Sequence, residues 1–353
     1  MIRLFFGLFF LIVKFSPNAY SGSNYHYGAC DASAAVLLDN SMVLVADDED
    51  NILRLYSIEK TGPPIKSFPL DKFLGVTNSS HPETDIEACT RIGNLIYWIT
   101  SHGRSKKGKW RNSRYRLFAT EFTKKNGEYD LQPRGQPCSS LINVLFKHNS
   151  FLLQKNIGQL GKNEEIFLAP KEKGLNIEGL TVSPDGKTLY IGLRNPLPNE
   201  KAILIPLKNA EEVILKNVEP ILGDPIYLNL ERRGIRSIEY SAIHNSYFIV
   251  GGPVDSELKS ALYSWTGDEE SSPKLILSFN DMNPEAITIQ KNTKKIFVLS
   301  DDGNVKYNVS QNDSNEKLDD GLSSCKSLKN STKKRFRSKS INIDEKKNNK
   351  NIN

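Results

Sequence analysis

Short runs of alternating or wholly apolar residues recur along the chain, separated by Asn, Asp, Gly and Pro. Met42–Ala46, Ile52–Ser57, Leu95–Thr100, Arg116–Thr120, Leu189–Leu193, Ala202–Leu207, Tyr247–Val250, Ala261–Trp265, Lys274–Phe279 and Lys295–Ser300 have strand length and strand composition. This density of strands predicts an all-β sandwich, barrel or propeller, and an internal repeat selects among them. Asp85-Ile86-Glu87-Ala88, Asn176-Ile177-Glu178-Gly179, Ser237-Ile238-Glu239-Tyr240 and Asn283-Pro284-Glu285-Ala286 each open a strand pair. A further copy, Asp31-Ala32-Ser33-Ala34-Ala35, carries Ser33 at the Glu position. One multi-strand unit repeated around a ring is a β-propeller.

The spacings count the blades. Ser33 to Glu87 is 54 residues, Glu178 to Glu239 is 61 and Glu239 to Glu285 is 46, each suiting one four-stranded blade. Glu87 to Glu178 is 91, one blade plus an insertion near 139–173 whose Leu141–Leu153 stretch is partly helical in pattern. Five blades follow, with six as the alternative. The expected organisation is a signal peptide over 1–22, the propeller over 23–306 and a polar loop or linker over 307–331. A closing strand over 332–343 and a disordered tail over 344–353 complete it.

In a blade the first strand runs along the central channel and the second returns. The start of the first and the loop after the second therefore share one face. The loops concerned are Asp47–Asn51, Ser101–Arg104, Arg194–Pro196, Gly251–Pro253 and Ser300–Gly303. Clustered carboxylates repel unless cations intervene, so Glu87, Glu178, Glu239 and Glu285 want partners. Two kinds are available: Arg104, Arg194 and Arg236 as ion-pair partners, or a hard cation such as Ca²⁺, which would find oxygen ligands in these glutamates and in Asp47, Asp48, Asp301 and Asp302; no other cofactor is indicated. Arg104, Arg194, Asn195 and Arg236 suit an anionic ligand, and His102 is the one histidine placed to act as general acid or base. Architecture accounts for many of the same residues, since buried acids must be hydrogen-bonded and Asp, Asn and Gly favour turns.

Charge narrows the partners. The chain of 353 residues has a formal charge of +6, but the eight Lys and Arg of residues 331–353, against Asp344 and Glu345, account for all of it. The rest is neutral and lacks the basic, aromatic-interleaved stripe of a nucleic-acid binder. At the amino terminus, Met1-Ile2-Arg3, the apolar run Leu4–Val13 and small residues at Ala19–Ser23 read as a secretory signal. The mature chain would start near Ser21 to Asn24 and be periplasmic or secreted, with no stable membrane span. An uncleaved anchor is the alternative reading.

Cys30, Cys89, Cys138 and Cys325 lack metal-ligand spacing. Export permits disulfides in any of three complete pairings, and buried thiols fit equally. Sequons stand at Asn78, Asn308, Asn312 and Asn330. No nucleophile elbow, zinc-protease, P-loop or dinucleotide fingerprint is present.

The ordered series Ala46–Asn51, Asp85–Ala88, Ser101–Arg104, Leu175–Leu180, Arg194–Leu197, Gly234–Tyr240 and Asn283–Ala286 resembles a bacterial family of unknown function whose members are exported and propeller-like. The resemblance covers about Cys30 to Gly303, returns weakly at Cys325 and Arg335–Arg337, and implies a fold without a settled activity. A looser similarity, at the level of fold, is to the esterase-like phytase propellers, which share the Ile-Glu-Gly strand start. Two functions are thus expected of the mouth. The first is binding of an anionic small molecule or protein ligand. The alternative is divalent-metal-assisted hydrolysis of a phosphoester or ester, with His102 managing the proton.

Overall fold

The computed structural model describes residues 14–18, 22–149, 169, 174–253 and 258–346. Strands β1 (Lys14–Asn18) and β2 (Asn24–Tyr27) precede the first blade, which is β3 (Ala34–Leu37), β4 (Met42–Ala46), β5 (Ile52–Ser57) and β6 (Lys66–Pro69). The second is β7 (Ile86–Ile92), β8 (Leu95–Thr100), β9 (Leu117–Lys125) and β10 (Glu128–Cys138). The third is β11 (Asn176–Val182), β12 (Leu189–Asn195), β13 (Ala202–Leu207) and β14 (Ile226–Leu228). The fourth is β15 (Arg233–Ser241), β16 (Ser246–Pro253), β17 (Ala261–Trp265) and β18 (Lys274–Ser278). Each of these is an antiparallel sheet in chain order.

The fifth blade draws on both ends of the described chain. Strands β19 (Pro284–Ile289) and β20 (Lys295–Ser300) are followed, after the hairpin β21 (Lys306–Asn308) and β22 (Leu322–Ser324), by β23 (Arg335–Lys346). β23 pairs with β20 on one side, and with β1 and β2 on the other. The inner strands β3, β7, β11, β15 and β19 pack in succession, and β19 returns against β3. The fold is a five-bladed β-propeller.

Core packing explains why the middle strands read as unbroken apolar runs: both faces of each sheet meet a neighbouring blade. In β4, Leu44 and Ala46 pack toward Trp98 and Phe118 of the second blade, whereas Val43 and Val45 pack toward Phe297 and Leu299 of the fifth. In β16, Tyr247 and Ile249 face the third blade and Phe248 and Val250 the fifth. Five apolar clusters fill the five inter-blade seams.

The inserted segment contains a helix, Leu141–His148, whose Leu141, Ile142 and Leu145 are buried in the seam between the second and third blades. The remainder of 139–173 is largely outside the described residues, as are Leu4–Val13 of the expected signal and residues 347–353 of the expected tail. Three segments differ from expectation. Lys14–Asn18, expected inside a signal peptide over 1–22, pair as β1 with β23, so cleavage near Ser21 to Asn24 would remove an edge strand of the fifth blade. Asp344–Lys346 continue β23 instead of opening a tail, because their backbone pairs with Lys14–Ser16. Tyr307–Ser324, expected as a linker, contains the β21–β22 hairpin. Its polar side chains bind its own backbone, Glu316 accepting from Ser324 N at 2.5 Å and Ser314 Oγ accepting from Glu316 N at 3.0 Å.

That segment is clamped by a disulfide between Cys30 and Cys325, while Cys89 and Cys138 are buried free thiols. Of the readings left open for the cysteines, the structure has one bridge and two thiols. No helix among the described residues is long and apolar enough to cross a membrane.

Candidate functional site

A β-bulge recurs near the start of four inner strands. The register slips across Ile86/Ala88, Ile177/Gly179, Ile235/Ser237 and Pro284/Ala286, so the residues left over are Glu87, Glu178, Arg236 and Glu285. A bulge re-aims its side chain out of the ladder, and all four line a central cavity of about 850 Å³. Ser33 holds the matching place in the first blade, where its hydroxyl donates to Ile86 O of the second at 2.6 Å. The position two residues before each bulge also faces the cavity in four blades, as Asp31, Asp85, Asn176 and Asn283.

Arg236 is the hub. Its Nε donates to Glu178 Oε2 at 3.1 Å, Nη1 to Asn283 Oδ1 at 2.7 Å and Nη2 to Glu285 Oε1. Glycine makes the room: a Cβ on Gly252 would stand 2.2 Å from Arg236 Cδ. Arg194 completes the cage, with Nη1 2.7 Å from Glu178 Oε1, and Asn176 donates to the same oxygen at 2.7 Å. Burial works to raise the Glu178 pKa, but Arg194 and Arg236 together hold the carboxyl below its usual range. Arg114 serves Asp85 at 2.9 Å and also pairs with Glu83. Burial raises Asp85 to about 6, with Arg114 opposing.

The other acids lack such partners. Burial, then the charges of Glu178, Asp85, Asp48 and Asp31, pushes Glu87 well above the carboxylate range. Burial and Asp301 do the same to Asp31, and burial and Asp31 to Asp48. Asp31 Oδ1, Asp48 Oδ1 and Glu285 Oε2 are buried with no hydrogen-bond partner among the described residues. Donor atoms fall within 4.8 Å of one another in three groups: Asp31, Glu285 and Asp301; Asp48, Asp85 and Glu87; Glu87, Glu178 and Glu285. Three converging carboxylate oxygens at that separation are able to hold a metal ion. Above this acidic floor the rim is basic: Arg104, Lys106, Lys107, Lys109, Arg111 and Lys326 line the same cavity.

Several expected site residues lie elsewhere. Glu239 is three residues past the bulge, at the opposite end of the channel. It lines a second cavity of about 580 Å³ with Arg91, Leu37, Thr288 and Lys291. There burial raises its pKa to about 8 against the pull of Arg91. The occupant of the motif position in the fourth blade is Arg236, because backbone register and not residue type defines that position.

His102 is 2% exposed and does not line the cavity; its Nδ1 lies 2.9 Å from Thr100 O, and burial lowers its pKa to about 4. Its positive φ of 50° turns the ring beneath the loop, edge-on to Tyr115. Asp47 closes its own turn, accepting from Glu49 N at 2.9 Å and Cys30 N at 3.2 Å. Asp302 is gripped by Arg337, with Nη2 at 2.7 Å and Nε at 2.8 Å, and so ties β23 to the loop after β20. Asn195 lies beside the mouth but does not line it. Asp48, Asp301, Arg104 and Arg194 do line it.

Sequence reasoning did not nominate Asp31, Asp85, Asn176, Asn283, Arg114 or Lys326 as site residues. The first four carry a sequence signal, since each begins a copy of the repeat. Arg114 and Lys326 carry no motif and reach the mouth only through folding.

A family model described as "Protein of unknown function (DUF3616)" matches residues 31–121 and 153–295. No curated protein matches the chain. Among solved structures, the chain is similar to the glutaminyl cyclase of Myxococcus xanthus, at 10% identity and TM-score 0.47 over 94% of this chain and 98% of that one. It is also similar to a protein of unknown function from Bacteroides thetaiotaomicron, at 12% identity and TM-score 0.39 over 92% of this chain and 76% of that one. A third likeness is to the hydrazine synthase of Kuenenia stuttgartiensis, at 10% identity and TM-score 0.37 over 77% of this chain and 56% of that one.

Proposed function

The chain belongs to the family described as "Protein of unknown function (DUF3616)", and from that premise we propose that its central mouth binds an anionic small molecule through a divalent cation, Ca²⁺. One observation carries the reading. Buried carboxylates whose oxygens have no partner among the described residues form the floor of a cavity whose rim is rich in lysine and arginine, with Glu49 and Glu83 among them. Unpaired buried charge costs several kcal/mol, and a hard cation on the floor removes that cost. The cation then presents open coordination positions upward, where Arg104, Lys106, Lys109 and Lys326 favour an anion's oxygens.

Binding is placed ahead of hydrolysis because His102, the expected proton carrier, is packed away from the cavity. We place the protein in the periplasm or outside the cell. The apolar run Leu4–Val13 supports export, and so does the Cys30–Cys325 bridge, since disulfides persist in oxidising compartments.

Thermal unfolding and calorimetry on chelator-stripped protein test the proposal. Ca²⁺ at a hundredfold its Kd should stabilise by about 2.7 kcal/mol, and inorganic phosphate should bind only with Ca²⁺ present. No effect of Ca²⁺ on melting overturns the cation, and phosphate binding indifferent to Ca²⁺ overturns the bridge. Metal-dependent turnover of a generic phosphoester would replace binding with hydrolysis.

A further inference from the structure

The three acidic groups are not equivalent. Glu178 is 2% exposed and takes two guanidiniums, and Glu285 gives one oxygen to Arg236. The group of Glu87, Glu178 and Glu285 is therefore already served by protein cations. The two flanking groups share no member with each other. Each contains carboxylate oxygen that nothing described satisfies. In the first, Asp31 and Glu285 are both 6% exposed, and Oδ1 of one and Oε2 of the other have no hydrogen-bond partner among the described residues. In the second, Glu87 is 7% exposed with no hydrogen bond or ion pair among the described residues, and Asp48 Oδ1 is buried and bare.

Charge gives an independent count. The three groups contain seven carboxylates: Asp31, Asp48, Asp85, Glu87, Glu178, Glu285 and Asp301. The guanidiniums paired with them are Arg114, Arg194 and Arg236. With all seven ionised, as cation binding requires, four negative charges remain in excess of the guanidiniums, which is the charge of two divalent cations.

We infer that the floor of the mouth holds two Ca²⁺-sized divalent cations side by side, one on Asp31, Glu285 and Asp301 and the other on Asp48, Asp85 and Glu87, with the Glu178–Arg236 pair standing between them. This rests on the cation reading of the mouth and sharpens its ligand class. Two adjacent cations beneath a basic rim select an oxyanion with at least two oxygens to share between them, a phosphate or a carboxylate, over a singly coordinating anion such as chloride.

Titration of the chelator-stripped full chain with Ca²⁺ alone, read by calorimetry and by equilibrium dialysis, tests the count. Two equivalents at the mouth are expected, with Asp31→Asn and Glu87→Gln each retaining one and the double variant none. One equivalent in the wild type overturns the paired centre and leaves the single-cation reading standing; no equivalent overturns both. Two equivalents that survive either substitution place the second ion away from these groups and also overturn the pair. Circular dichroism checks that each variant folds. If Asp31→Asn does not, the less buried Asp301→Asn takes its place with the same expected loss of one equivalent.

Discussion

Two glutamates with the same motif signature should respond in opposite directions to the same substitution. Glu178→Gln leaves Arg194 and Arg236 facing an amide that offers one acceptor where the carboxylate offered two, inside a cage where Glu178 is 2% exposed. Breaking a buried ion pair of this kind costs about 3–5 kcal/mol. Glu239→Gln should stabilise at neutral pH. Burial raises the Glu239 carboxyl from 4.5 to about 8, so at pH 7 it is protonated when folded and ionised when unfolded. Folding then takes up a proton, and stability falls as pH rises from 4.5 towards 8. Across the interval from 4.5 to 7, at about 1.4 kcal/mol per pH unit, the penalty is about 3 kcal/mol. Water at the open far mouth screens part of it, leaving an expected gain of about 2 kcal/mol for glutamine. Urea unfolding of wild type and both variants at pH 5, 7 and 8.5 reads this out. The Glu239→Gln advantage should grow with pH up to about 8 and then level off. Equal destabilisation by both substitutions, at every pH, would refute the placement of Glu239 outside the arginine cage.

Arg337→Ala strips Asp302, 2% exposed, of its bidentate partner; a loss of about 3 kcal/mol in chemical denaturation is expected, with Ca²⁺ affinity unchanged. Cys30→Ser with Cys325→Ser opens a bridge between residues 295 apart and should cost about 3–5 kcal/mol, read as a lower denaturation midpoint of the oxidised protein. Gly252→Ala puts a methyl 2.2 Å from Arg236 Cδ. The displaced guanidinium should uncover Glu178 and Glu285, with a fall of about 3 kcal/mol in stability that Ca²⁺ restores more fully than in wild type.

Strand positions were legible because burial on both faces makes a propeller's middle strands continuous apolar words: Met42–Ala46, Ile52–Ser57, Leu95–Thr100 and Ala202–Leu207 are observed with those bounds. The blade count followed from the repeat. The error at Glu239 came from aligning the repeat on a residue type. Aligned on the apolar residue before the bulge, Gly234-Ile235-Arg236-Ser237 matches Asp85-Ile86-Glu87-Ala88, and an arginine takes the glutamate's place. That exchange of charge is what neutralises Glu178 and Glu285. His102 was misjudged for a different reason: its loop is at the mouth, but the backbone sign at that residue, which no residue pattern reports, sends the ring inward. The hairpin at Tyr307–Ser324 was hidden because its polar residues satisfy their own backbone instead of building an apolar face.

The Cys30–Cys325 bridge also determines what a protease can accomplish. Strands β3 to β22 all lie between these two residues, so one cleavage in any loop from Asp31 to Ser324 leaves both pieces on a single covalent thread. A nicked molecule keeps its mass on a non-reducing gel and separates into two bands only after reduction. Two cuts are needed to free a fragment from within the bridged span, and a blade freed that way must still leave the apolar seams on either side of it.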